Sequence, residues 1–467
     1  LKPDRAAESM IYADVSGPSP MSLDRLVPEV LIRLADFFDL HYLLVARALS
    51  KPWRACIGDA EHAWRSCFSV LFGSPPDLVA EGWLQAFRVA IHRKRETLAR
   101  WLTAGSGSLR PQAWFTFSSF VRSWASDDCM LVAGLYNGRL QSVEWSTGEV
   151  GQPFKGAHSD EVVCVALNDE LVMSGSGDPG YYSRSPRDAS VKVWNRHDGS
   201  LLDSSQLHAD SVRAVVLFPS ESELGAYGSS ASLDGHVILW SVPRHASSSS
   251  DLRVECQIML QSACRSLLLV PPAGGLSRIG SEARMLASMG GSVVELAVRA
   301  SPSPGGVPSL DRVRVIATNS SAVSGIDCYV SPWLWARLPS GTTYPPSLLD
   351  EDEVVVAGGS INGEIWTAKG GSVNTRNLSE RVLGALTQEI VSVELLDAQR
   401  LLGVCRCGAL FLADWSEDLS NFKVRWRLEG FRMYVSTIRR RAPRLLVADG
   451  FDNRIGTLGF CSDARSN

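Results

Sequence analysis

The chain has 467 residues, enough for two or three domains. Its 50 acidic and 46 basic residues leave a net charge of −4, which excludes a protein that coats nucleic acid through surplus Lys and Arg. Its 45% hydrophobic and 21% charged residues exclude global disorder. Ten Cys without CxxC spacing exclude a structural zinc module or a disulfide scaffold and favour a reduced, cytoplasmic or nuclear setting. No apolar run is long enough for a membrane span, and the residues that follow Leu1 do not read as a secretory leader.

Residues 1–21 hold Pro3, Pro18, Pro20 and scattered charges without periodicity, and read as a disordered lead. The texture then becomes helical. Leu31, Leu34, Phe37 and Phe38 recur at helical spacing, as do Ala60, Trp64, Cys67, Phe68 and Leu71, and then Leu84, Phe87, Ile91, Leu98 and Trp101. Pro52 and the Pro75-Pro76 pair mark breaks.

After Gly105 Gly, Ser and Asp become frequent, and apolar residues come in runs of three to six, the pattern of short strands joined by tight turns. One strand repeats, closing on Trp145, Trp194, Trp240, Leu296, Trp366, Trp415 and Leu458. Several of these lie roughly 45–50 residues apart, the spacing of four-stranded propeller blades. The longer gaps carry inserts at 271–282 and 331–350. A last blade is expected from strands near 434–438, 445–448 and 454–460, completed by 113–117 from upstream of the first blade. Such closure ties the chain ends together.

Two blades carry a fuller signature. Each has a His ahead of its first strand, a Ser-rich second strand, an Asp, and a Trp six residues later. The residues are His158, Asp188 and Trp194, then His208, Asp234 and Trp240. This resembles the WD40 repeat, in which the His, a Ser or Thr, the Asp and the Trp join in a hydrogen-bonded chain. Repetition at blade spacing makes them structural rather than a hydrolase triad. Residues 175–180 match G-x-G-x-x-G but run toward a strand, not a helix, and so are not a nucleotide loop.

The helical region resembles an F-box, through Val27-Pro28-Glu29, Phe37-Phe38, Asp39-Leu40, Leu43-Leu44, Trp53-Arg54 and Ala63-Trp64-Arg65. The segment with Trp83, Phe87, Arg88, Arg100, Trp101 and Gly105 is similar to the linker of F-box proteins that carry WD repeats. The resemblance implies an α+β multidomain protein: an all-α F-box (22–75), a helical linker (76–109) and an all-β, seven-bladed WD40-type propeller (110–463). It further implies the substrate receptor of an SCF-type ubiquitin ligase. Pro28, Glu29, Leu31, Leu34, Phe37, Phe38, Leu40, Leu43, Leu44 and Trp53 would face a Skp1-like adaptor and, through it, a cullin. A WD40 interaction scaffold without ubiquitin transfer is the alternative.

No convergent catalytic set, metal cluster or cofactor motif is read, and neither nucleic acid nor membrane is an expected partner. In WD propellers the first residues of each inner strand border the central channel. Aligned across the blades, that slot holds Arg122, Arg213 and Arg265. In F-box/WD40 receptors an Arg there contacts the phosphate of a degron, which implies an acidic or phosphorylated protein substrate. Tyr181, Tyr182, Arg184 and Arg187, in an insert of the second blade, are expected on the same face.

Overall fold

Short runs rich in Val, Leu and Ile, each closed by a turn, become 27 strands in a computed structural model of the chain. It describes Gly82, Gln85 and residues 109–460, apart from 128, 178–187, 220–225, 243–251, 271–280, 302, 304–305, 319, 332–333, 335–343, 378–388, 407–408, 417–420, 429–437, 442–443 and 450–452. The chain divides into two compact units, Leu1–Val89 and Ala90–Asn467, and all 27 strands belong to the second.

The strands form seven antiparallel sheets, six of four strands and one of three. The three-stranded sheet holds β2 (Val121–Ser126), β3 (Met130–Leu135) and β4 (Leu140–Glu144). Its fourth strand is reduced to one bridge, Val143 to Val150. Next come β5 (Val162–Leu167), β6 (Leu171–Ser176), β7 (Val191–Asn195) and β8 (Leu201–Ser205), then β9 (Val212–Leu217), β10 (Tyr227–Ser232), β11 (His236–Ser241) and β12 (Arg253–Met259). The fourth sheet is β13 (Leu267–Val270), β14 (Glu282–Met289), β15 (Ser292–Arg299) and β16 (Ser309–Ala317). The fifth is β17 (Val323–Val330), β18 (Val354–Ser360), β19 (Glu364–Lys369) and β20 (Ser372–Asn377). The sixth is β21 (Ile390–Asp397), β22 (Arg400–Cys405), β23 (Leu410–Asp414) and β24 (Lys423–Leu428). The last joins β25 (Ile438–Arg441), β26 (Arg444–Asp449) and β27 (Arg454–Phe460) to β1 (Leu109–Thr116) from the start of the unit.

Each sheet packs on the next through its inner strands, as β2 on β5, β5 on β9, β17 on β21 and β21 on β25. The ring closes where Ile455 of β27 joins Val121, Trp124 and Leu131 in one core. Second strands lie between neighbouring blades, so β3, β6 and β18 are buried along their whole length. That is why they read as apolar runs rather than alternations. Outer strands β8 and β16 alternate with exposed residues. Trp194, Trp240 and Trp366, the markers of the repeat, are fully buried on third strands.

One expectation is corrected. The α+β multidomain reading gives way to an all-β propeller, since the described residues contain no helical domain. The segments 1–21, 22–75 and most of 76–109, with all ten adaptor-facing residues from Pro28 to Trp53, lie outside the described residues. Of the strand expected near 434–438, residues 434–437 lie outside the described residues; the described strand is Ile438–Arg441 and includes Arg439, Arg440 and Arg441.

Candidate functional site at the channel mouth

One end of the ring collects the connections that enter the inner strands and the hairpins between second and third strands. Backbone bonds lace them together. Tyr136 N donates to Phe120 O, His158 N to Gly138 O, Cys264 N to Ser232 O, Val323 N to Gly290 O, and Arg406 N to Glu389 O. Gly138 shows why this end is tight. Its φ is +79°, and a Cβ there would meet the His158 carbonyl oxygen at 2.2 Å.

The inner strands enclose a central cavity of about 650 Å³. Arg122, Arg213 and Arg265, from three different blades, all line it. Arg406 joins them from the β22–β23 turn, with Glu389 just ahead of β21. Arg122 pairs with Glu161. Arg406 Nη1 lies 2.8 Å from Glu389 Oε2. Among the described residues Arg213 and Arg265 have no such partner, and the Nε of each is buried without an acceptor. Burial, then repulsion from Arg265, lowers the Arg213 pKa against the pull of Glu389.

Exposed apolar residues gather at this end. Phe120, Tyr136, Leu207, Met259 and Ile361 lie in its connections or at a strand's end there, and Met259 is 68% exposed. Phe120 and Tyr136 meet edge to face at 6.2 Å.

The blade signatures are built differently from each other. In the third blade Trp240 Nε1 donates to Ser230 Oγ at 2.7 Å. Asp234 Oδ2, an acceptor 3.1 Å from His208 Nδ1, holds the proton of the neutral ring there, so Nε2 accepts from Ser230 Oγ at 2.7 Å. Asp234 also accepts from Ala209 N and His236 N. In the second blade His158 reaches Asp188, Ser190 and Ser174, but Trp194 Nε1 turns to the Lys155 carbonyl instead. Ser174 and Ser230 are fully buried, so neither can meet a substrate. Burial pushes the nearby Cys164 thiol up to about 12, which leaves no thiolate at neutral pH. Among the described residues no cluster of His, Cys, Asp or Glu could hold a metal ion.

Of the sequence-derived partner-binding residues, the structure brings together Arg122, Arg213 and Arg265. Tyr181, Tyr182, Arg184 and Arg187 lie outside the described residues. Glu161, Glu389 and Arg406 were missed. A signal existed: Glu161-Val162 and Glu389-Ile390 put the same acid at the same step before an inner strand in two blades. Arg406 left none, because it arrives from a hairpin rather than from the slot.

The blades, their buried Trp and the His–Asp chains define the fold as a WD40-type β-propeller. Among solved structures the chain is similar to the crystal structure of the RRP9 WD40 repeats and to the structure of U3-55K. Identity is 12% and the TM-score 0.51 in each case, over 76% of this chain and 98% and 99% of theirs. At that identity the likeness carries the fold alone. No family model and no curated protein matches the chain. The F-box resemblance is therefore withdrawn, and with it the ubiquitin-ligase receptor, the Skp1-like adaptor and the cullin. The physical reason is that spaced Leu and Phe with a Trp-Arg describe an amphipathic helix in general. Such a pattern does not specify which partner the helix meets.

Proposed function

We propose that the protein is a non-catalytic interaction scaffold whose propeller docks a partner protein at the channel mouth. One observation carries this reading: large apolar side chains are exposed around a mouth that is also lined with Arg. Isolated exposed apolar residues are ordinary, but a gathering at one end of a ring is the mark of a contact surface. The test compares the proteins retained by the wild-type chain, by Tyr136→Glu with Met259→Glu, and by Leu201→Glu with Val307→Glu. The last pair also alters exposed apolar residues, but at the other end, Leu201 at the start of fourth strand β8 and Val307 in the connection between third and fourth strands β15 and β16. Partners should be lost only with the first pair. Loss with the second pair alone would move the contact surface to the opposite end.

A further inference from the structure

Arg406 reaches the channel mouth on the hairpin between β22 and β23, and a covalent bond sits at the foot of that hairpin. Cys405, the last residue of β22, is disulfide-bonded to a cysteine outside the described residues. The other described cysteines, Cys129, Cys164, Cys256, Cys264 and Cys328, are free thiols. A lone bond among free thiols does not staple a scaffold; in such company a disulfide is more often redox-sensing. Its position ties it to the mouth. Cys405 is fully buried in one core with Ile390 and Phe411, and it pairs across the sheet with Ile390, the residue after Glu389. Cys405 N donates to Ala409 O and Arg406 N to Glu389 O, so the backbone around the sulfur fixes where Arg406 stands. There Arg406 Nη1 holds Glu389 at 2.8 Å. Glu389 also attracts Arg213, which lines the same cavity. The place of the hairpin therefore decides which of the two cations Glu389 neutralises.

We propose that the Cys405 disulfide is a redox latch on the docking end: while it is closed, Arg406 holds Glu389 and the mouth accepts its partner, and once it is reduced, Arg406 leaves and Glu389 turns to Arg213. This rests on the channel mouth being the docking end. The reductant is a dithiol. Because Cys405 is buried, the dithiol's thiolate attacks the other sulfur of the bond. A mixed disulfide forms there, and Cys405 departs as a thiolate and takes up a proton. The second thiol of the reductant then attacks the first sulfur, so the reductant leaves as a disulfide and the other cysteine is freed as a thiol. One electron pair passes from the dithiol to the chain.

The experiment uses the full chain, with dithiothreitol as the reductant. Acid-quenched samples are alkylated in denaturant before and after reduction, and Cys405 should be labelled only after it. Labelling without reduction would overturn the latch. In the native chain dithiothreitol should speed hydrogen exchange of the Cys405 and Arg406 amides about tenfold or more and leave the β10 amides as they were. Unchanged exchange would show a bond that serves the fold alone, and would overturn the proposal as well. Reduction should also lower partner retention to the level that Cys405→Ala shows without reductant. Arg406→Gln, which removes the ion pair and keeps the bond, should lose the same partners with or without reductant. If retention is equal with and without reductant while Tyr136→Glu with Met259→Glu still loses partners, the latch falls and the docking end stands.

Discussion

Ser230 and Ser174 occupy the same step of neighbouring blades, yet they have different work. Ser230 Oγ accepts from Trp240 and donates to His208, whereas Ser174 Oγ meets only the His158 ring among these groups. Replacing Ser230 by Ala strands two buried polar groups, at about 1–3 kcal/mol each, and replacing Ser174 strands one. Chemical denaturation should therefore show Ser230→Ala to be the more damaging change. The same chains set the acid response. Burial lowers the His158 pKa from 6.5, outweighing the hydrogen bond and the attraction from Asp188. Burial pushes the Asp188 and Asp234 carboxyls upward. Hydrogen bonds from His158, Ser190 and Ser159 to Asp188, and from His208, His236 and Ala209 to Asp234, together outweigh it and leave both well below 3.8. A His whose folded pKa is depressed supports the fold above its unfolded value and loses that support as pH falls. Melting temperature should therefore decline first as pH drops below about 6.5, and again below about 4 as the carboxylates protonate. His158→Gln should flatten the first decline and spare the second; an unchanged first decline would assign it to another group.

At the scale of elements, the insert after β17 is a wedge. Leu334, Tyr344, Leu348 and Leu349 share one core with Leu286 and Val293 of the fourth blade and Val354 and Trp366 of the fifth. A buried ion pair pins it. Glu295, fully buried on β15, accepts from Arg284 Nη1 at 2.7 Å, from Leu348 N at 3.0 Å and from the Ser347 hydroxyl at 3.0 Å. Arg284 also donates to the carbonyls of Pro345 and Pro346 and pairs with Glu282. Glu295→Ala leaves the Leu348 amide and the Ser347 hydroxyl without their acceptor and takes one of its two carboxylates from Arg284, at about 3–5 kcal/mol. Arg284→Met should cost less, since Glu295 keeps its amide donors. Equal melting temperatures for the two variants would contradict this ordering. The sequence showed the insert, through its four Pro, but not its role. Arg284 and Glu295 meet diagonally across a strand pair, and the amides they hold lie some fifty residues on, a relation no local pattern carries.

At the scale of the whole molecule, what was legible is what repeats. A third strand buried on both faces must end in a large apolar residue, so Trp194, Trp240 and Trp366 marked the blades. The inner-strand slot put Arg122, Arg213 and Arg265 in one cavity because the blades are equivalent by rotation. Glu161 and Glu389, which pair with Arg122 and Arg406, become visible only when blades are brought side by side, and the helical region was over-read because amphipathicity alone names no partner. Ring closure was legible for the same reason of repetition: three strands at the end of the chain lacked a fourth. The structure supplies it in β1, which pairs with β27 from Leu109↔Phe460 to Thr116↔Arg454 across one register shift. No covalent bond is needed, only the backbone ladder and the core that Phe115 and Ile455 share with the first blade. A chain that begins after residue 116 leaves β27 with one edge unpaired and removes Phe115 from that core. Its melting temperature should fall, and the β27 amides should exchange quickly with solvent while those of β10 and β11, away from the seam, stay protected. A synthetic peptide of residues 107–118 added in trans should restore both, since the missing contacts lie along that strand. Full protection of β27 without the peptide would show that the ring holds by its inner strands alone.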